Sequence, residues 1–316
     1  MRRLLPLCLA LLAFAGCATG FTPVPAEPAR TAVSNAGGET VLYEKASPYN
    51  NVVVSVNEAG MRILRFEHGG ARQSLVKPGD PDYLGLSYVR TAFTGLALTG
   101  EPKRILVIGL GGGTLPSFLH KHYPAAVIDA VDIDPVVVDV ARRYFGFRDD
   151  ALMKGHVGDG RRFVEEVKQP YDMIFLDAYG SDSVPEHLAT EEFLRAVRRA
   201  VKPDGIVVGN IWGRGHNRLY DRMVRTYQEV FDDLYILDVR NAGNQILLAL
   251  PRVQRLTQEQ LAEIARKVST AKRFDFDLGD QVNYGFLDAR AKDPAQRVLR
   301  DRDLARNKPA PATAKP

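Results

Sequence analysis

The stretch that decides the fold is ILVIGLGGGTL, from Ile105 to Leu115. Its apolar run is typical of a buried parallel strand, and the turn that follows is nearly all glycine. Glycine lets backbone amides and a helix N-terminus approach a ligand closely, but it also serves plain strand-to-helix packing, so the turn alone leaves both interpretations open. The next strand, Val127 to Ile133, carries Asp132 and is followed by Asp134. A carboxylate about 20 residues after such a turn commonly binds ribose, so the two features together predict a βαβ nucleoside site.

Strand and helix patterns alternate from Arg104 to Leu250, which predicts a parallel sheet with helices on both faces. Seven strands are predicted: ILVIG, VIDAVDI, the segment around His156 and Val157, MIFLD, IVVGNIW, and the antiparallel edge pair LYILDV and QILLAL. Before them, residues 40–74 alternate in strand fashion, and Pro81 to Ala97 has helical spacing. The predicted fold is α/β, a doubly wound, Rossmann-like seven-stranded sheet with a small N-terminal antiparallel β domain.

The N-terminus has the pattern of a targeting segment. Two arginines precede an apolar run over residues 4–14, which is too short to remain as a membrane-spanning helix. FAGC, from Phe14 to Cys17, resembles a bacterial lipobox, in which the cysteine is lipidated and becomes the mature N-terminus. Simple secretion or an uncleaved anchor is the alternative. Because Ala18 follows the cysteine, the pattern favours a lipid-anchored protein of the bacterial cell envelope, on the periplasmic face of the outer membrane.

Composition shifts along the chain predict its division into segments. The predicted segments are a lipoprotein-type signal over 1–17, a flexible linker over 18–38, a small β domain over 39–80, a Rossmann-like catalytic domain over 81–251, a helical extension over 252–290 and a mobile tail over 291–316. The extension contains an amphipathic helix with Thr257 as its cap. Since the two cysteines are Cys8 and Cys17, we expect no disulfide and no cysteine nucleophile in the mature domain.

Composition and motif spacing argue against several functional classes. The chain has 316 residues, 45% hydrophobic and 25% charged, which is ordinary for a globular protein. Its net charge of +4 comes from basic residues spread along the chain, so nucleic-acid binding is not predicted. The six histidines are scattered without HExxH-like spacing, and no GxSxG precedes a helix. We therefore expect no metal site and no hydrolase triad.

Ligands of a doubly wound sheet bind at the carboxyl ends of its strands. Here these ends carry the glycine turn from Gly109 to Gly113 and three carboxylates, Asp132, Asp159 and Asp177. Asp159 either accepts a hydrogen bond from a ligand amine or caps the following helix. Asp177 closes the apolar strand MIFLD, where partial desolvation would raise the carboxyl pKa and suit it to hold a cation or take a proton. A capping or turn role for Asp177 is the alternative.

Four segments together resemble the spermidine synthase (polyamine aminopropyltransferase) family, within the class I S-adenosylmethionine-dependent methyltransferase fold: VIGLGGGTL, AVDIDPVVVDVAR, GDGRRF and YDMIFLDAYGSDSVPEHL. The likeness extends over roughly Glu39 to Leu250. Within it, EHGGARQS is similar to the family's LDGxxQ segment, and Leu86 to Arg90 is similar to its YHEM segment. DAYGSDSVPEHL is most similar to the divergent spermidine synthase-like branch.

The resemblance implies roles for individual residues. The donor-binding set that it implies is Gly109, Gly111, Gly112 and Gly113 of the turn, Asp132 on the ribose hydroxyls, Asp159 with Gly160 at the adenine amine, and Gln73 and Asn50 near the donor. Asp177 matches the catalytic aspartate, and Tyr88 matches the tyrosine that positions the amine or the aspartate. Asp182 is the displaced counterpart of an acidic residue on the substrate side.

Two departures from the family concern the amine. Gly112 stands where the family has an aspartate that binds the donor's aminopropyl ammonium, and NAGNQILLAL replaces the YPSG segment. We therefore expect an altered amine-binding half, and a Gly112→Asp change that favours the decarboxylated donor.

The function that the resemblance implies is transfer of an aminopropyl group from decarboxylated S-adenosylmethionine to a small amine such as putrescine, releasing methylthioadenosine. The alternatives are an S-adenosylmethionine-dependent methyltransferase and a non-catalytic lipoprotein binding module. The expected partners are the small-molecule amine and, through the N-terminal lipid, a membrane. A homodimer stays open.

Overall fold

The computed structural model describes residues 34–35, 38–179 and 184–306. The predicted signal segment and Asp182 lie outside these residues. No helix within the described ranges is long and apolar enough to cross a membrane.

The N-terminal part forms a five-stranded antiparallel sheet, which confirms the small β unit. Its strands, in chain and spatial order, are β1 (Ser34–Asn35), β2 (Glu39–Ala46), β3 (Asn51–Asn57), β4 (Arg62–Arg65) and β5 (Arg72–Val76). The prediction of a flexible linker over 18–38 is wrong at its end, because β1 pairs with β2, with Ser34 opposite Thr40. A two-residue strand has no alternation pattern of its own, so its order comes from the ladder that it joins.

The second sheet has eight strands: β6 (Arg104–Ile108), β7 (Val127–Asp132), β8 (Met153–Val157), β9 (Tyr171–Leu176), β10 (Val201–Trp212), β11 (Asp233–Asp238), β12 (Asn244–Leu250) and β13 (Phe286–Asp288). Their spatial order is β13-β11-β12-β10-β9-β6-β7-β8. The strands from β10 to β8 in this order are parallel, and β12 is antiparallel to both β10 and β11. The seven predicted strands are confirmed, and β13 is an additional edge strand.

Nine α-helices occur in the described ranges: α1 (Ser87–Ala92), α2 (Thr114–His122), α3 (Pro135–Tyr144), α4 (Gly160–Glu165), α5 (Glu191–Ala200), α6 (Tyr220–Val230), α7 (Gln258–Lys272), α8 (Leu278–Tyr284) and α9 (Asp301–Arg306). The helix predicted from Pro81 to Ala97 is shorter, since α1 begins at Ser87 and gives way to a 3-10 helix over Phe93–Leu98. Gly85 explains the late start, because a Cβ there would lie 2.7 Å from Leu75 Cγ of β5, so the chain before α1 is packed on the small sheet.

The C-terminal residues are ordered beyond the predicted limit. The prediction of a mobile tail over 291–316 is wrong as far as α9. Leu299 is buried, its carbonyl accepts a hydrogen bond from the Glu191 amide at 2.7 Å, and Asp301 forms an ion pair with Arg161 at 2.6 Å. These contacts join residues more than a hundred positions apart, so no local sequence pattern indicates them.

The small sheet shares a hydrophobic core with helix α3. Val52, Val54 and Leu64 of the small sheet pack with Val137 and Val140 of α3, all buried. Helix α3 follows β7, so this core lies beside the strand that ends in the predicted ribose-binding aspartate.

The order of the strands reverses between β6 and β9. The chain goes from β6 to β7 and β8 on one side and then returns to β9 on the other side of β6. Such a switch point opens a crevice at the carboxyl ends of the strands.

Candidate functional site

A cavity of about 430 Å³ lies over this crevice. Nine of the predicted site residues line it: Asn50, Gln73, Tyr88, Gly109, Gly111, Asp132, Asp159, Gly160 and Asp177. Gly112 and Gly113 do not line it. Strand ends that are far apart in sequence therefore converge on one space, as the parallel topology requires.

The glycine turn brings two strand ends into contact. Gly109 has φ +99°, and a Cβ there would lie 2.3 Å from the carbonyl oxygen of Asp177. No other residue type fits, because a side chain would have to displace the backbone at the end of β9. The close approach places Asp177 beside the turn that begins α2.

Asp132 connects the end of β7 to the same turn. Its Oδ2 accepts hydrogen bonds from the amides of Leu110 at 3.0 Å and Gly111 at 3.4 Å, and its Oδ1 accepts from the amide of Asp134 at 3.0 Å. Burial raises the pKa of Asp132, while these amide hydrogen bonds lower it. Oδ1 accepts only one of these hydrogen bonds, so it keeps a lone-pair site for a further donor.

The neighbouring Asp134 connects the start of α3 to the segment between β2 and β3 of the small sheet. This fully buried carboxylate caps α3 through the Val136 amide at 2.9 Å, and it accepts hydrogen bonds from Ser47 Oγ at 2.5 Å and Asn50 Nδ2 at 3.3 Å. Asn50 also lines the cavity, and its side-chain NH₂ group points to Asp134.

Asp159 has one of the two roles that its position in the sequence left open, the helix cap, and it also lies at the cavity. Its Oδ1 accepts a hydrogen bond from the Arg161 amide at 2.8 Å and caps α4, while the residue also lines the cavity. Gly160 permits this placement, since a Cβ there would lie 2.5 Å from Ile108 Cγ2. His187, 4.0 Å from Asp159, lines the same end.

The Asp177 carboxyl group lies in the cavity with a raised pKa. Burial raises its pKa from 3.8 to about 7, although hydrogen bonds from Asn210 and Tyr88 partly oppose the rise. Tyr88 Oη donates to Oδ2 at 3.0 Å, and Asn210 Nδ2 donates to Oδ1 at 2.8 Å. None of the helices in the described ranges has Asp177 as its N-cap.

Sequence reasoning missed the far wall of the cavity. It consists of Tyr179 after β9, Asn210 and Trp212 of β10, and Asn244 at the start of β12. The Tyr179 and Trp212 rings meet edge-on with centroids 6.0 Å apart. The available signal was the polar Asn210 inside the apolar strand IVVGNIW, at a carboxyl end where ligands are expected.

Position 112 faces away from the cavity. The Gly112 amide donates to Ser74 Oγ at 2.7 Å, and a Cβ at Gly112 would lie 2.9 Å from both Ser74 Cβ and Phe145 Cδ1. An aspartate side chain therefore has no free space in this arrangement. The expected switch of donor preference in Gly112→Asp conflicts with this packing.

Comparison with known proteins gives the family. A family model described as a spermine/spermidine synthase domain matches residues 91–236. The polyamine aminopropyltransferase of Vibrio vulnificus (strain CMCP6) is 36% identical over 234 residues, covering 71% of this chain and 77% of that protein. The human eEF1A lysine and N-terminal methyltransferase is 32% identical over 214 residues, which cover 61% of this chain but only 30% of that longer protein.

Solved structures show the same fold. A probable spermidine synthase from Corynebacterium glutamicum ATCC 13032 superposes with a TM-score of 0.63 at 21% identity, covering 72% of this chain and 86% of the other. Human methyltransferase-like protein 13 in complex with SAH superposes with a TM-score of 0.55 at 30% identity, covering 60% and 93%. The fold is thus the Rossmann-like fold that these transferases share, and on the extent of its sequence similarity the chain belongs to the spermidine synthase (polyamine aminopropyltransferase) family.

Proposed function

We propose that the chain transfers an aminopropyl group from decarboxylated S-adenosylmethionine to a small amine such as putrescine, releasing methylthioadenosine. The observation that carries the proposal is the partly buried Asp177 carboxyl, which lines the cavity beside the glycine turn with a pKa near 7. A transferase that uses an amine nucleophile needs a base at this place, because a primary amine with a pKa near 10 is mostly protonated at neutral pH.

The donor half of the cavity suits a nucleoside. Asp132 has acceptor capacity for ribose hydroxyls, and Asp159 lies at the α4 end, where it could accept from the exocyclic amine of adenine. The exposed side chain of Ile133 lines the cavity between them and offers an apolar surface for the base. The methyltransferase relative bound to SAH supports a sulfonium nucleoside as donor.

The chemical step follows from the position of Asp177. The acceptor nitrogen forms a bond with the carbon next to the sulfonium, the carbon–sulfur bond breaks, and its electron pair leaves with the sulfur of methylthioadenosine. The proton lost by the nitrogen goes to Asp177. Tyr88 and Asn210 hold the two carboxylate oxygens, so the base is oriented before the substrates bind.

A methyltransferase is the second candidate, because the similarity to the eEF1A methyltransferase and to the SAH-bound structure favours it. The two reactions need the same base and differ in the group carried by the sulfonium. Incubating the full chain with each donor and putrescine separates them: methylthioadenosine that appears only with the amine supports aminopropyl transfer, whereas S-adenosylhomocysteine supports methyl transfer.

Two variants test the role of the carboxyl group. Asp177→Asn should abolish product formation, and the matched control Asp139→Asn, at a surface ion pair with Arg143, should retain it. If neither donor yields product with any amine tested, the chain is a binding module and the catalytic proposal fails.

We also propose that the chain is lipid-anchored at Cys17 on the periplasmic face of the outer membrane. The support is the FAGC sequence after a short apolar segment. A homodimer stays a prediction.

A further inference from the structure

A chain of side-chain amides leads away from Asp177. Asn210 donates through Nδ2 to Asp177 Oδ1 at 2.8 Å, and its own Oδ1 accepts from Asn244 Nδ2 at 2.9 Å. Asn210 is only 5% exposed. In the β10–β12 ladder Asn210 is opposite Ile246, so Asn244 is its diagonal neighbour on the same face of the sheet.

The hydrogen bond from Asn244 to Asn210 determines which end of the Asn210 amide faces Asp177. An asparagine amide has a donor end and an acceptor end, and turning it over exchanges them. While Asn244 donates to the Asn210 oxygen, the NH₂ group of Asn210 must face Asp177. An NH₂ group stabilises a carboxylate, whereas a carbonyl oxygen in its place would stabilise the protonated acid.

Other titratable groups around Asp177 do not replace this control. Tyr88 from α1, Tyr179 after β9 and Tyr227 from α6, which lies behind Tyr179, all have a pKa raised chiefly by burial, so they stay neutral near pH 7. Among the residues that the structure describes, the other charged or titratable groups that line the cavity are Asp132, Asp159, Arg72 and His187.

We propose that Asn244 is a positioning residue, which fixes the amide orientation of Asn210 and thereby favours the ionised, proton-accepting form of Asp177. Asn244 need not touch the substrate to do this. This role of Asn244 rests on the proposed function of Asp177 as a base. The protonation equilibrium of Asp177 can nevertheless be measured without any activity.

The experiment titrates Asp177 directly in the full chain. Aspartate carboxyl carbons labelled with ¹³C are followed by NMR between pH 5 and 10, and the resonance lost in Asp177→Asn identifies the residue. Asn244→Ala removes the donor without adding charge. Asn244→Asp is nearly isosteric but accepts only when ionised, so Asn210 must turn its NH₂ group toward it. Asn241→Asp adds the same charge at another position of the cavity wall.

In Asn244→Ala, Asn210 can turn its carbonyl oxygen toward protonated Asp177, and the hydrogen bond that the acid gains raises the carboxyl pKa by up to about one unit, an up to tenfold change in the protonation equilibrium. We expect the Asp177 midpoint to rise by about one unit in Asn244→Ala, and by more in Asn244→Asp than in Asn241→Asp. An unchanged midpoint in Asn244→Ala overturns the inference, and so does an equal shift in the two aspartate variants. If Asp177 titrates as expected in all variants but the wild type forms no product, the proposed function fails and the inference about Asn244 stands.

Discussion

Replacing Asp177 by asparagine should stabilise the fold at high pH while it removes the proposed activity. The folded state raises the pKa of this carboxyl from 3.8 to about 7, so folding favours its protonated form. The stability that Asp177 contributes is therefore fully present below pH 3.8 and is lost as the pH rises through 7. An asparagine does not titrate and keeps its contribution at every pH.

The size of the effect follows from the shift. A difference of about three pKa units corresponds to about 4 kcal/mol between the low-pH and high-pH limits, at 1.36 kcal/mol per unit. At pH 5 the wild type has already lost part of this stability, because pH 5 lies above the unfolded-state pKa of 3.8. The free energy of unfolding of Asp177→Asn, relative to the wild type, should then increase by about 3 kcal/mol over this interval.

Urea unfolding at pH 5 and pH 8, followed by circular dichroism, measures this difference. Asp139→Asn serves as the control, because Asp139 is half exposed in an ion pair with Arg143, and its stability relative to the wild type should change little. A relative stability of Asp177→Asn that stays constant or falls from pH 5 to pH 8 would refute the argument that burial dominates at this site.

Three further predictions concern the donor and the N-terminus. Titration calorimetry should detect methylthioadenosine binding to the wild type and not to Asp132→Ala, and no heat for the wild type at millimolar ligand would remove both enzyme proposals. Gly112→Asp should lower the melting temperature, since its side chain meets Ser74 and Phe145, without changing the ratio of rates with the two donors; an intact fold with a tenfold change in that ratio would contradict the packing argument. Mass spectrometry should find an acylated Cys17 at the mature N-terminus, and Cys17→Ser should release the chain from the membrane; a mature start elsewhere without lipid would exclude the anchor.

Short stretches of sequence were enough to predict the strands and helices that form from neighbouring residues. Each apolar strand of the parallel sheet is long enough to be identified, and the residue at its end is then known, which is why Asp132 and Asp177 were found. Strand β13 and helix α9 are short, and contacts with distant residues order them: β13 pairs with β11, and Leu299, just before α9, is bound to Glu191. The contact of Tyr88 with Asp177 spans 89 residues and was predicted only through the family resemblance.

The two amide side chains next to Asp177, Asn210 and Asn244, escaped prediction for a different reason. Catalytic carboxylates stand out against an apolar strand, but an asparagine has no charge, and its effect depends on which end faces the neighbour. Asn244 opens a strand after a glycine turn, where asparagine is common. Its relation to Asn210 exists only through the antiparallel register of β10 and β12.

The small sheet contacts the cavity region and cannot be separated from it as an independent domain. Ser74 of β5 accepts from the Gly112 amide at 2.7 Å, and Ser47 and Asn50 donate to Asp134 at the start of α3. The small sheet therefore supports both the glycine turn and the segment from Asp132 to Asp134, which belong to the proposed donor half. The predicted boundary between residues 80 and 81 separates Ser47, Asn50 and Ser74 from the residues that they bind. A truncated chain that begins at residue 81 would therefore lose the side chains that hold Gly112 and Asp134 in place. Nucleoside binding should accordingly require residues 39–80 even though the acceptor-side carboxyl, Asp177, belongs entirely to the large sheet.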